Sequence, residues 1–304
     1  MDKLDSLNHA TDSTLAIIKE GMRQKFEIWV GSPYDISLKG TKANITAHKL
    51  SDINFRIGEL KSKTLNEFDF FFIRQDPPFD LRYLTNCYIL EIHKNFNKKP
   101  FFVNDPTGIK NFTEKIFPLY FFDLMPKTYF TENEDFFLRI LEKHKVLILK
   151  TLYNKGGEGI KKVNFADKKK SIYTFRNLIK TYSVPVIMQE FLNKVKNGDK
   201  RIILIDGAPV GFINRIPKKG NFKANLHLGG RAEVTTLTKD EERICRKIKK
   251  ILYTQGLFLV GIDLIDGKLT EINVTSPTGI VQIQDLTGIN IAEKLWKKLL
   301  RKTG

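Results

Sequence analysis

Asp263, Glu271 and Asn273 carry the strongest chemical signal in the chain. They lie in "GIDLIDGKLTEINVTSPTG", residues 261–279. Two carboxylates and an amide are hard oxygen donors. They suit Mg²⁺, or Mn²⁺ in its place, and Mg²⁺ usually arrives with substrate phosphates. The segment reads as two short strands around Asp266-Gly267, so register decides whether the three groups meet. A two-residue turn pairs Asp263 with Thr270 and sends Glu271 to the opposite face. A three-residue turn, Asp266–Lys268, pairs Asp263 with Glu271 and leaves Asn273 two residues along the same face. Opposed like charges on a sheet are destabilising unless a cation lies between them. Convergence requires the second register, and with it the three-residue turn.

A nucleotide site also needs cations and a phosphate loop, and the sequence offers both. Asn154-Lys155-Gly156-Gly157-Glu158-Gly159 lies between two predicted strands. Glycines let backbone N–H groups approach phosphate oxygens, though a glycine-rich hairpin reads the same way. It is not a Walker A loop, because no Gly-Lys-Ser/Thr follows. Lys150 ends the apolar run "VLILK", and a lysine buried there needs an anion nearby. Arg201 and Arg215 stand on the two arms of one hairpin, where guanidinium meets a carboxylate or phosphate, or closes a structural salt bridge. The basic, glycine-containing stretch 218–231 follows, either a mobile flap over anions or a surface loop. Gln189-Glu190-Phe191-Leu192 ends a strand that either offers backbone to a base edge or only closes a core. Asp76-Pro77-Pro78 follows a strand end, where α/β ligands gather, or is a rigid turn. Asp12-Ser13-Thr14 precedes an apolar helix as its N-cap or as a ligand group.

The elements that position these residues alternate between strand and helix, the α/β signature. Strands are predicted at 25–31, 68–75 and 100–106, then at 127–130, 145–152 and 184–192. Residues 200–216 form a hairpin turning at Asp206-Gly207. Thr131-x-x-Glu134 and Thr238-x-x-Glu241 read as capping boxes opening helices. A last helix carries Ile291, Leu295, Trp296 and Leu299 on one stripe. The chain divides into residues 1–112, a lid-like part at 113–188, and a C-terminal sheet domain at 189–304.

Composition narrows the class. The 304 residues carry 51 Lys and Arg against 34 Asp and Glu, a net charge of +17. The lysines are scattered and far outnumber arginine, which reads as a solvated surface rather than a nucleic-acid face. A basic field also draws anionic substrates. No apolar run approaches a membrane span, and the N-terminus has no signal-peptide h-region. Two cysteines, Cys87 and Cys245, lie far apart. Neither a disulfide framework nor a thiolate metal site follows, and a cytoplasmic location is expected.

With "RQDPPFD" (74–80), "EKIF" (114–117), "ILK" and its Gly-Gly loop (148–157), "NGDKR" (197–201), "RIPKKGNFKANLHLGGRAE" (215–233) and above all residues 260–280 in order, the chain resembles the prokaryotic glutathione synthetases of the ATP-grasp superfamily. The resemblance spans essentially the whole length. It implies an ATP-grasp fold behind an N-terminal Rossmann-like domain. It also implies ATP-dependent joining of γ-glutamylcysteine to glycine through an acyl phosphate, with ATP and Mg²⁺. By position it implies that Lys115 and Lys150 hold ATP phosphates and that Gly156 and Gly157 close on them. Gln189, Glu190, Phe191 and Leu192 line adenine, and Asp199 faces the ribose. Asp263, Glu271 and Asn273 hold the metal. Arg201 and Arg215 stabilise transferring charge, joined by Lys223 and Arg231 on the flap. Ser276 and Thr278 bind peptide or glycine carboxylate, and Asp12, Ser13 and Asp76 the γ-glutamyl end. The resemblance further implies a homo-oligomer, a tetramer. The family opens with an apolar strand that Met1-Asp2-Lys3-Leu4 does not supply, so the N-terminal sheet is expected to lack its first strand. Lys223 stands where the family has arginine, which keeps charge and loses the bidentate fork. Glu158-Gly159 and Glu190-Phe191 also depart from the family pattern. The rival readings are another ATP-grasp carboxylate–amine ligase, an inactive homologue, and a basic binding module without catalysis.

Overall fold

The hairpin that carries Asp263, Glu271 and Asn273 is the middle of the molecule. A computed structural model describes residues 1–303. Leu259–Ile265 and Lys268–Asn273 are antiparallel, with Asp263 opposite Glu271 and Gly261 opposite Asn273. The pairing matches the expectation, but the route to it does not. Ile265 pairs with Lys268, so the turn has two residues, and the register shifts at a bulge beside Asp263. Asp266 (φ 51°) and Gly267 (φ 68°) both take the left-handed conformation that a tight hairpin turn requires. The extra residue is Thr270, whose Oγ1 donates to Asp263 O at 3.1 Å. The expected three-residue turn is therefore replaced by a two-residue turn and a bulge.

This hairpin is one edge of a five-stranded antiparallel sheet in the order 231–233, 208–216, 199–205, 259–265, 268–273. Both faces are covered, because alternate residues of each strand point to opposite sides. Ile202, Leu204, Ile262 and Leu264 join one apolar cluster with Tyr83, Ile109, Phe117, Ile248 and Leu252. Ile203, Ile205 and Ile213 join another with Ile283, Leu295 and Trp296. The helix Lys239–Thr254 opens on the predicted capping box between Thr238 and Glu241. The final helix, Ile291–Thr303, buries the predicted stripe.

A second antiparallel sheet, in the order 128–131, 186–190, 146–150, 161–164, packs against the helices Glu134–His144 and Lys168–Tyr182. Its core is its own: Phe137 and Phe175 stack at 4.4 Å with rings 2° from parallel. The first of these helices is capped by Asn133, whose side chain accepts from Phe136 N–H. Thr131 ends the preceding strand instead of opening a capping box. Its hydroxyl accepts from Asn133 N–H, which is one residue too early for that motif.

The first part is less parallel than the sequence suggests. Its parallel pairing is confined to Phe70–Phe72 with Phe101–Val103. The predicted strand at 25–31 shrinks to Trp29–Val30, which pairs antiparallel with Lys42–Leu50. That long strand also pairs with Ile36–Lys39 and Ile57–Thr64, a sheet the sequence reading passed over. Asn104 ties this part to the ligand hairpin. Its amide donates to Leu259 O and Val274 O, and Leu259 N–H donates to its Oδ1, each at 2.7 Å. No helix among the described residues is long and apolar enough to cross a membrane.

Both thiols are buried, Cys87 against the helix and sheet of the first part and Cys245 under the helix 239–254. Burial pushes Cys87 up to about 12 and Cys245 up to about 11. A disulfide reagent at pH 8 should therefore find no reactive thiol in the folded protein and two after unfolding in guanidinium. Rapid labelling of either cysteine in the native state would contradict the packing.

Candidate active site

A cavity of about 1000 Å³ lies between the two antiparallel sheets. Cross-strand register builds its floor. Arg201 lies directly opposite Asp263 on the neighbouring strand, Asp263 opposite Glu271, and Asp199 opposite Arg215. The result is a buried row of charges. Arg201 grips Asp263 with both arms of its fork, Nε to Oδ1 at 2.5 Å and Nη2 to Oδ2 at 2.8 Å. Arg215 Nη2 reaches Asp263 Oδ1 at 2.9 Å and Asp199 Oδ2 at 2.7 Å. Burial alone would raise Asp263, but the two guanidinium groups outweigh it and hold the carboxyl well below the usual range. Among the described residues Asp199 pairs only with Arg215, and its buried Oδ1 has no hydrogen-bond partner. Burial, helped by the neighbouring Asp263 charge, pushes Asp199 up to about 6 against the pull of Arg215.

The oxygen donors fit a hard divalent cation. Among the described residues the Glu271 carboxylate has only Lys150 Nζ as an ionic partner, at 3.9 Å. Asn273 uses its amide N–H groups on Gly261 O at 3.2 Å and Asp263 Oδ2 at 3.4 Å, which leaves Oδ1 without a donor among the described residues. All three side chains line the cavity. Asp263 is the exception in one respect, because both of its oxygens already accept from arginine. Among the described residues no three His, Cys, Asp or Glu side chains converge as a metal-binding group. A cation here would draw on Glu271 and Asn273 and on oxygens entering with a ligand, as Mg²⁺ at phosphate sites does.

The cations expected from the sequence are brought together. Lys115 and Lys150 are both buried at the cavity wall. Burial lowers the Lys150 ammonium, with Glu271 opposing that shift. Lys115 Nζ donates to Asn154 O at the start of the glycine loop. Gly156 and Gly157 line the cavity. Lys223, on the 217–230 segment, donates to Gly157 O at 2.7 Å, so the segment meets the loop across the cavity mouth. Gly157 has φ +79°, and a Cβ there would lie 2.9 Å from Asn225 Oδ1. Gln189, Glu190, Phe191 and Leu192 line one end of the cavity. Gln189 spends its amide on Thr128 Oγ1 at 2.9 Å. Phe191 is covered by Lys162 Nζ, 3.8 Å from the ring centroid. Asp199 belongs to the charge row and pairs with Arg215.

The remaining candidates divide. Ser276 and Thr278 line the cavity, and Thr278 O accepts from Arg201 Nη1 at 3.1 Å. Asp76 lines it too and pairs with Lys155 of the glycine loop. Asp12 reaches the cavity, but one oxygen caps the helix Ser13–Arg23 by accepting from Thr14 and Leu15 N–H. Ser13 is buried, and its hydroxyl accepts from Gly279 and Ile280 N–H at 3.2 and 3.3 Å. It therefore fixes the 277–280 turn rather than facing a ligand. Arg231 is a correction. It lies on the edge strand Arg231–Glu233 with its side chain in solvent, paired with Glu233 at 2.7 Å, and does not line the cavity. The sequence reading missed Glu114. Its carboxyl accepts from Thr275 Oγ1 at 2.5 Å and its carbonyl from Ile272 N–H at 3.1 Å, which pins the strand holding Glu271 and Asn273. Its position beside Lys115 in "EKIF" was the available signal.

Comparison with known proteins agrees with this geometry. The family model "Prokaryotic glutathione synthetase, N-terminal domain" matches residues 1–110, and "Prokaryotic glutathione synthetase, ATP-grasp domain" matches residues 114–288. The chain is 39% identical over 311 residues to a glutathione synthetase of Agrobacterium fabrum, covering 99% of this chain and 95% of that protein. It is 38% identical over 302 residues to one of Brucella melitensis, covering 97% and 95%. Among solved structures, an ATP-grasp ligase of Chryseobacterium gregarium, in complex with ADP and leader and core peptides, aligns with TM-score 0.58 at 15% identity over 98% of this chain and 95% of its own. D-cycloserine synthetase DcsG aligns with TM-score 0.61 at 12% identity over 79% and 86%. Those two likenesses show the fold, and the family models and the relatives go further: the chain belongs to the prokaryotic glutathione synthetase family.

Proposed function

We propose that this protein is an ATP-dependent ligase that joins glycine to γ-glutamylcysteine, giving glutathione, ADP and phosphate. The observation that carries this reading is the convergence, in one cavity, of three oxygen donors, two buried lysines and a carboxylate-braced arginine pair. The cysteinyl carboxylate attacks the γ-phosphorus of ATP, the bond to the β–γ bridging oxygen breaks, and ADP departs. The glycine amine then attacks the acyl carbon, the acyl–oxygen bond breaks, and phosphate leaves as the amine loses a proton.

The chain supplies position and charge for both steps. Glu271 and Asn273, with Asp263 beside them, would hold a divalent cation, which would supply charge neutralisation at the phosphates. Lys115 and Lys150 are placed for phosphate oxygens, and the N–H groups around Gly156 and Gly157 close over them. Arg201 and Arg215 are held by Asp263 and Asp199, so they need little reorganisation as charge develops, which is where such electrostatic work is most effective. The end of the strand 186–190 borders the adenine, with Asp199 toward the nucleotide. Ser276, Thr278 and Asp76 serve the peptide and glycine carboxylates, with Asp12 nearby. Residues 1–112 hold the peptide, 113–188 form the lid, and 189–304 hold the nucleotide and cation. Mn²⁺ substitutes for Mg²⁺, the active species is a homotetramer, and the enzyme works in the cytoplasm.

Purified protein with ATP, MgCl₂, γ-glutamylcysteine and glycine should release glutathione and phosphate in equal amounts, lose activity in EDTA and regain it with MgCl₂. ATP turnover with another amine acceptor and none with glycine would favour a different carboxylate–amine ligase. Glu271→Ala should lower kcat by about 10²-fold or more with folding intact; near-normal turnover would defeat the cation assignment. Gly157→Ala places a Cβ at positive φ against Asn225, a strain of about 1–2 kcal/mol. It should raise KM for ATP by roughly five- to thirtyfold with a smaller change in kcat. An unaltered KM would mean that the loop does not close on the nucleotide.

A further inference from the structure

Glu271 and Asn273 sit on the outermost strand of the five-stranded sheet, Lys268–Asn273. Among the described residues that strand has a ladder on one side only, with Leu259–Ile265. A strand held by half the backbone bonds of an inner one opens more readily. Two oxygen donors for one small cation must nevertheless keep their spacing, because Mg²⁺ demands near-octahedral geometry at roughly 2.1 Å. The open side therefore needs a support, and one residue supplies it.

Glu114 meets the open side twice. Its backbone oxygen accepts from Ile272 N–H at 3.1 Å, between the two donors. Its carboxyl accepts from Thr275 Oγ1 at 2.5 Å, two residues beyond Asn273. Glu114 is itself held in place. Ile116 and Phe117 N–H both donate to Thr113 O, at 3.1 and 2.8 Å, which closes the turn around it. Phe117 is fully buried in the apolar cluster that contains Ile272 and Val274. The clamp on the edge strand is thus backed by the core.

The next residue along the chain is Lys115, which is buried and donates through Nζ to Asn154 O at the start of the glycine loop. Two adjacent residues therefore reach in two functional directions, one to the cation donors and one to the phosphate loop. Glu114, Lys115, Glu271 and Asn273 all line the same cavity.

We propose that Glu114 is a positioning residue that couples the cation donors to the phosphate-binding lysine. Through Ile272 and Thr275 it holds Glu271 and Asn273 at a fixed distance from Lys115, and in this role it touches neither nucleotide nor cation. Nucleotide and cation then strengthen each other's binding through the protein as well as through direct contact. The proposal rests on the nucleotide and cation site assigned above and is indifferent to which carboxylate and amine are joined.

The test is an ADP titration of the full chain by calorimetry, once in MgCl₂ and once in EDTA. The ratio of the two affinities is the gain that the cation confers. Glu114→Ala and Thr275→Val should each cut that gain about tenfold, while binding in EDTA changes by about twofold or less. Glu114→Gln keeps an acceptor and Thr275→Ser keeps the hydroxyl, so both should retain most of the gain. The double variant, Glu114→Ala with Thr275→Val, should lose no more than either single one, because both remove the same bond. Equal weakening with and without MgCl₂ would mark a merely structural residue and overturn the proposal. A loss in Glu114→Gln as large as in Glu114→Ala would also overturn it, by assigning the effect to charge. Should Glu114→Ala fail to fold, the contrast between Thr275→Val and Thr275→Ser decides. No ADP binding by the unaltered protein would sink the nucleotide site and this coupling together; binding with a gain that Thr275→Val leaves intact would sink the coupling alone.

Discussion

Asp263 accepts from two arginines inside a sheet buried on both faces, and the rest of the site is arranged around that fact. Taking these ions out of water costs several kcal/mol for each, and only close geometry repays it. The geometry comes from strand register. Arg201 is the direct cross-strand neighbour of Asp263, and Arg215 bridges from the next strand over. Removing one partner would leave the others uncompensated, a loss of about 3–5 kcal/mol for such clusters. The same register places Glu271 opposite Asp263 on the other side. Sheet order therefore fixes the two arginines and the oxygen donors Asp263, Glu271 and Asn273 together, and neither set can shift alone.

Much of this was legible in the sequence, because chemistry and local pattern agree at the centre. Asp-Gly turns, alternating apolar strands and two carboxylates that make sense only when they converge led to the Asp263–Glu271 pairing. The bulge at Thr270 was not legible, because a bulge and a longer turn produce the same pairing from the same residues. The sheet at 36–64 was missed for a different reason. Its inward positions include Ala43 and Ala47, which are small, and the strand Ile57–Thr64 is largely solvent-facing. Neither gives a strong alternating signal. Arg231 looked like its basic neighbours on the flap, and only the direction of an edge strand separates it from them. Glu114 depends on contacts between distant segments that no local pattern encodes.

The nucleotide-side sheet owes little to the rest of the protein. Its apolar cluster draws only on residues between Tyr129 and Met188, and the Phe137–Phe175 stack gives it a rigid centre. The contacts that bridge the cavity mouth are few and polar: Lys223 to Gly157, Lys115 to Asn154, Lys155 to Asp76. A body with its own core, held by a handful of partly exposed polar contacts, can swing without paying a packing penalty.

The placement of the two cysteines has a consequence for where such an enzyme can work. Its substrate and product are thiols, so it operates among mixed disulfides and their oxidised partners. Thiol–disulfide exchange needs an accessible thiolate, and this chain presents neither the charge nor the access at Cys87 or Cys245. The catalyst is thereby insulated from the redox couple it feeds. Oxidation of the surrounding thiol pool leaves Cys87 and Cys245 unmodified in the folded protein.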